Sequence, residues 1–162
     1  MEQIPIYCQK EILIAGVGNI LFGDDGFGPE VIDYLNNQYS IPENVCLADA
    51  GTGIRKLLFT ISLSDVRPKV IVIIDAVDKG KEPGEIFDIP LDELPAEKID
   101  DFSIHQVPSS NLLKELQDLC NVEVIIKVCQ IQSIPETIQT GLSDPLKQAV
   151  PLLAKKIAEE YF

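Results

Sequence analysis

Apolar runs of strand length alternate with segments of helical spacing, which predicts an α/β fold. The expected architecture is a three-layer α/β/α sandwich around a mostly parallel, twisted sheet of about five strands. Three observations carry this. β-Branched runs recur along the chain, glycine-rich turns follow the first two, and amphipathic segments fill the intervals. At 162 residues the chain suits one domain, residues 1–162, with a sizeable core, and no repeat or low-complexity block divides it.

Ile12 to Val17 is a short apolar run passing into Gly16-Val17-Gly18, a buried strand and its turn. Pro29 to Tyr39 then places Val31, Ile32, Tyr34 and Leu35 at helical spacing, with Pro29 suited to a first turn. Val45 to Asp49 reads as a second strand, closed by Ala50-Gly51-Thr52-Gly53. In Ile54 to Ser64, the apolar residues Ile54, Leu57, Leu58 and Ile61 stand at i, i+3, i+4 and i+7, the stripe of an amphipathic helix. Val70 to Ala76 is the most hydrophobic run, as expected of a central parallel strand covered on both faces. Gly84 to Ile89 predicts a short strand, followed by acidic loop up to His105. Pro108 to Leu119 predicts a helix, Val122 to Ile131 a strand, and Asp144 to Tyr161 a closing amphipathic helix.

Composition removes several functions. Thirteen basic residues against 26 acidic ones give a net charge of −13, which repels nucleic-acid phosphates and anionic membrane surfaces alike. A single histidine, His105, excludes a His-Glu-x-x-His zinc helix and an all-imidazole zinc site. Cys8, Cys46, Cys120 and Cys129 contain no C-x-x-C pair, and they read as reduced thiols of a cytoplasmic protein. The N-terminal residues lack a signal-peptide pattern, and no apolar run approaches the roughly 18 residues of a membrane span. The expectation is a cytoplasmic monomer with neither a nucleic-acid nor a membrane partner.

Ligands of open parallel sheets collect outside the carboxyl ends of the strands. Acidic residues fall at each such end: Asp24 and Asp25 after the first strand, Asp49 on the second, Asp75 on the third, with His105 in a later connection. Two carboxylates and an imidazole would offer a divalent ion O, O and N ligands, a set that suits Ni, Zn, Mn or Fe without choosing among them. Plainer roles compete, because an Asp at a strand end often caps the next helix and a lone His is often a hydrogen-bonded structural residue. The glycines alone do not specify a nucleotide site. Gly16-Val17-Gly18 begins a dinucleotide fingerprint, but Leu21 occupies the third glycine's place and Asp24-Asp25 would repel a pyrophosphate. Neither a P-loop nor a Gly-x-Ser-x-Gly elbow is present.

The run Gly16-Val17-Gly18-Asn19-Ile20-Leu21-Phe22-Gly23-Asp24-Asp25-Gly26-Phe27-Gly28 resembles the signature of the [NiFe]-hydrogenase maturation endopeptidases. Three further blocks agree in order: Asp49-Ala50-Gly51-Thr52-Gly53, Ile73-Ile74-Asp75-Ala76 and Ser103-Ile104-His105-Gln106. Phe22 to Pro29 and His105 to Pro108 look most like the branch serving coenzyme F420-reducing hydrogenases. The resemblance implies a peptidase that removes a C-terminal peptide from the nickel-loaded large-subunit precursor of a [NiFe]-hydrogenase. By motif position, Asp25, Asp75 and His105 are the catalytic and nickel-contacting residues, while Asn19, Asp24, Asp49, Gly51 and Gly53 are assigned to the substrate cleft. The nickel is expected to arrive with the precursor, not as a permanent cofactor. Two alternatives stay open, a non-catalytic metal-handling assembly factor and a nucleotide- or phosphate-binding module.

Overall fold

The computed structural model describes residues 3–93 and 109–162. Among these residues, five strands form one sheet: β1 (Ile12–Val17), β2 (Val45–Gly51), β3 (Val70–Val77), β4 (Ile86–Ile89) and β5 (Glu123–Gln130). Their order is β2-β1-β3-β5-β4. β1 pairs in parallel with β2 and β3, and β3 with β5, while β4 runs antiparallel at the edge beside β5. The helices are α1 (Ile6–Gln9), α2 (Phe27–Gln38), α3 (Ile54–Leu63), α4 (Ser109–Leu119) and α5 (Asp144–Tyr161).

Strand alternation divides the core in two. Leu13, Ala15 and Val17 of β1, with Ile71 and Ile73 of β3, pack with Ile54, Leu58 and Ile61 of α3 and with Leu113 and Leu116 of α4. On the opposite face Ile14, Val72 and Ile74 meet Phe27, Val31 and Leu35 of α2 and Leu146, Leu153 and Ile157 of α5. The helices thus form layers on both sides, as the β-branched runs implied. The chain leaves β1 through α2 on one face to reach β2, then returns through α3 on the other to β3. Its winding direction therefore reverses between β1 and β3, and the carboxyl ends of these two strands flank the crevice where such sheets bind ligands.

Several details differ from the sequence reading. A 3-10 turn at Gly23–Gly26 runs straight into α2, so this helix begins two residues before Pro29. β4 begins at Ile86, because Gly84 takes a positive φ of 89° and forms the turn before it. α1 and the 3-10 turn Leu91–Glu93 are too short for periodicity to reveal. All four cysteines are free thiols, with Cys8 and Cys129 fully buried. Among the described residues, no helix is long and apolar enough to cross a membrane.

Candidate active site

The β1–α2 loop carries the first carboxylate. Gly18, with φ 139°, turns the chain out of β1, and a side chain there would collide with the carbonyl oxygen of Asp25. The Asn19 backbone N–H donates to Asp25 Oδ2 at 2.9 Å, and the Asn19 Oδ1 accepts from the Leu21 N–H at 3.0 Å. Asp25 is 3% exposed, so its carboxylate sits inside the loop it closes.

Asp75 supplies the second carboxylate from within β3, opposite Val128 of β5. It too is 3% exposed, and its Oδ1 accepts the Ala76 N–H at 2.8 Å. Gly28 brings the two segments together. A Cβ on it would lie 2.5 Å from the carbonyl oxygen of Ile74 and would also overlap the Val17 backbone. The absence of a side chain at Gly28 thus lets the start of α2, three residues after Asp25, rest on the strand one residue before Asp75. Both carboxylates consequently occupy the carboxyl rim at the switch between β1 and β3.

Asp24 has a different position from the one expected of it. Instead of lining the cleft it is 2% exposed and turned toward the β5–α5 connection. Its Oδ1 accepts the Ser143 N–H at 2.7 Å. Its Oδ2 accepts the Ser143 hydroxyl at 2.9 Å, the Gln132 N–H at 2.8 Å and the Ser133 N–H at 3.4 Å. Adjacent residues on a tight turn point apart, so Asp24 and Asp25 accept from different parts of the chain.

The second glycine loop forms a cleft wall. A cleft of about 220 Å³ is lined by Gly18, Asn19, Ile20, Pro29, Asp49, Gly51 and Thr52. Asp49 is exposed and does not cap α3; its Oδ1 accepts the Gly51 N–H at 3.0 Å, which shapes the turn. Gly51 has φ 52°, and its carbonyl accepts the Gly18 N–H at 2.9 Å, tying the two glycine loops together. Gly53 precedes α3 as its N-cap and donates to the Ala50 carbonyl, so it shapes the loop without lining this cleft.

His105 lies outside the described residues. Among the described residues, no group of three His, Cys, Asp or Glu is arranged to hold a metal ion. Thiol nucleophiles are disfavoured there. Burial, with a smaller contribution from the Asp24 charge, pushes the Cys129 thiol up to about 12, so it stays protonated and weakly nucleophilic. Sequence reasoning did not anticipate the partners of Asp24. Ser143 lies 119 residues away in sequence, and only its place as an N-cap serine before Asp144-Pro145 marks it locally.

Comparison with known proteins agrees with this geometry. A family model for hydrogenase maturation proteases matches residues 29–160. A Methanocaldococcus jannaschii protein assigned as a hydrogenase maturation protease is 42% identical over 144 residues, covering 88% of this chain and 90% of the relative. The coenzyme F420 hydrogenase subunit delta of Methanothermobacter thermautotrophicus is 36% identical, covering 93% and 94%. The solution structure of the endopeptidase HycI from Escherichia coli superposes with a TM-score of 0.71 at 26% identity, over 91% of this chain and 89% of that one. With motif blocks, backbone and relatives all in accord, the chain belongs to the hydrogenase maturation protease family and is a peptidase.

Proposed function

We propose that this peptidase removes a C-terminal peptide from the large-subunit precursor of a [NiFe]-hydrogenase, of the F420-reducing type, after nickel has been inserted. The likeness to an F420 hydrogenase delta subunit supports the precursor class. The observation that carries the site is the pair of buried carboxylates, Asp25 and Asp75, on one rim at the winding reversal.

In this reading the nickel is part of the substrate. Carboxylate oxygens suit a divalent ion of borderline hardness, and His105 would add an imidazole nitrogen by its motif position. Two oxygens and one nitrogen leave the ion's remaining positions to the precursor's own ligands, so docking of a loaded precursor is favoured over an empty one. The chemistry is hydrolysis by water. A carboxylate at the rim accepts the proton of a water as it attacks the scissile carbonyl carbon. The carbon–nitrogen bond then breaks, and the leaving amine takes up a proton. Asn19, through its N–H, holds the Asp25 carboxylate in place during these steps. The cleft between the two glycine loops receives the extended chain beside the cut, with Asn19, Asp49 and Gly51 on its walls.

The test is mass spectrometry of a loaded precursor incubated with the purified protein, alongside Asp75→Asn and His105→Ala. Loss of a C-terminal peptide with the wild type and its retention with both variants is the expected result. An intact precursor after wild-type incubation refutes the proposal, and cleavage by either variant at the wild-type rate refutes the site.

A further inference from the structure

We propose that Asp24 is a positioning residue: it latches the β1–α2 loop to the β5–α5 connection and thereby fixes the carboxylate of Asp25 next to it. The inference rests on the peptidase reading for its kinetic consequence, but its structural part stands independently.

The attachments on the two sides of this pair are distinct. Asp25 accepts the Asn19 N–H of its own loop. Asp24 reaches across the fold and accepts from donors of three residues, Gln132, Ser133 and Ser143. Backbone contacts reinforce the same junction. Gly23 N–H donates to the Gln139 carbonyl at 2.8 Å, and Gln139 N–H donates to the Leu21 carbonyl at 2.9 Å. Phe22 and Gln139 form an isolated parallel bridge. The loop that bears Asp25 is therefore sewn to a segment more than a hundred residues later, and Asp24 is the buried side chain at the centre of the seam.

Among the described residues, every hydrogen-bond partner of Asp24 is a donor. Only an acceptor with two oxygens fits there, and its burial at 2% exposure makes the fit exacting. In an amide, the NH2 would face either the Ser143 N–H or the three donors now served by Oδ2. Substrate cannot be its partner, because the carboxylate is occupied and turned from the cleft. Ser143 is the reciprocal half of the latch. Its hydroxyl serves Asp24, not the first turn of α5, where no side-chain cap is formed.

The experiment combines amide hydrogen exchange with steady-state cleavage, using wild type, Asp24→Asn and the milder Ser143→Ala. Loosening the latch should speed exchange of the Asn19 amide by about 10-fold or more, while amides of β1 and β3 keep wild-type protection. With loaded precursor, kcat should fall by about 10-fold or more in Asp24→Asn and less in Ser143→Ala, with KM within about twofold, because misplacing a reacting group costs rate. Unchanged Asn19 exchange in folded variants overturns the latch. A loss confined to KM overturns the positioning role and makes Asp24 a docking residue. Should wild type leave the precursor uncut, the peptidase reading fails, and the exchange measurement still decides the latch. Should Asp24→Asn fail to fold, Ser143→Ala carries both readouts.

Discussion

The two glycine loops leave neighbouring strands at the same rim, and each bears aspartate, yet they are built differently. The first, after β1, is buried from Gly23 to Pro29, stapled to the β5–α5 connection, and carries both of its carboxylates inside. The second, after β2, is open: Asp49, Thr52 and Gly53 are exposed, and its aspartate does no more than fold its own turn around Gly51. A buried, anchored wall faces an accessible one; in the proposed reading the first holds the chemistry and the second meets the substrate chain. The Gly18–Gly51 hydrogen bond sets the distance between them. Placement at a strand end thus does not fix an aspartate's surroundings; burial against the winding reversal separates Asp25 and Asp75 from Asp49.

The largest effect should come from the buried pair. Asp25→Asn or Asp75→Asn should lower the cleavage rate by about 100-fold or more, the scale of a lost general base. Asp75→Asn keeps an oxygen that can accept the Ala76 N–H, so the variant should still fold. Single-turnover cleavage with parallel thermal melts checks both. A folded Asp25→Asn of wild-type rate would erase the contrast between the loops.

Next in size is the packing under the first loop. Gly28→Ala drives a methyl into the Val17 and Ile74 backbones, so it should cost about 1–3 kcal/mol or more in denaturant unfolding. Gly53→Ala, where the nearest atom would be the Ala50 carbonyl at 3.4 Å, should cost far less.

Alkaline pH probes the ground beneath the anchored loop. The Cys129 thiol is raised from 9.0 to about 12 and the Tyr161 hydroxyl is raised from 10.0, both chiefly by burial. The folded state then holds protons that the unfolded chain releases. This stability is fully present below pH 9, is drawn down as the pH rises above it, and for Cys129 is gone past pH 12. Urea midpoints should fall across that window, and less steeply in Cys129→Ala. An identical slope in the variant would remove Cys129 from this account.

The smallest effect belongs to the open loop. Asp49→Ala removes one hydrogen bond at an exposed turn and should cost about 1 kcal/mol or less by urea unfolding. Its consequence for cleavage should be on KM, as expected of a cleft wall. A kcat loss equal to that of Asp25→Asn would collapse the distinction between the loops.

Much of this architecture is legible in the amino-acid sequence. The β-branched run at Val70 sets the central strand, and the helix Asp144–Tyr161 has the predicted bounds. Acidic residues at strand ends point to the carboxyl rim of the sheet, and the motif blocks single out Asp25 and Asp75. The fate of Asp24 is not legible there. Two adjacent carboxylates look alike in sequence, and what separates them is a set of donors 108 to 119 residues away. Likewise Gly28 looks like a helix-start glycine until its approach to Ile74 is seen. Long-range hydrogen bonding and backbone proximity leave no periodic signal, which is why strands and helices are readable and the division of labour between neighbours is not.

The central claim is that the buried rim reads nickel carried by the precursor. Parallel incubation of the protein with nickel-loaded and nickel-free precursor, followed by intact-mass measurement, tests it most directly. The account predicts peptide loss from the loaded form and a rate lower by about 10-fold or more from the nickel-free form, the differential binding of a completed coordination set. Equal rates on the two precursors would contradict it.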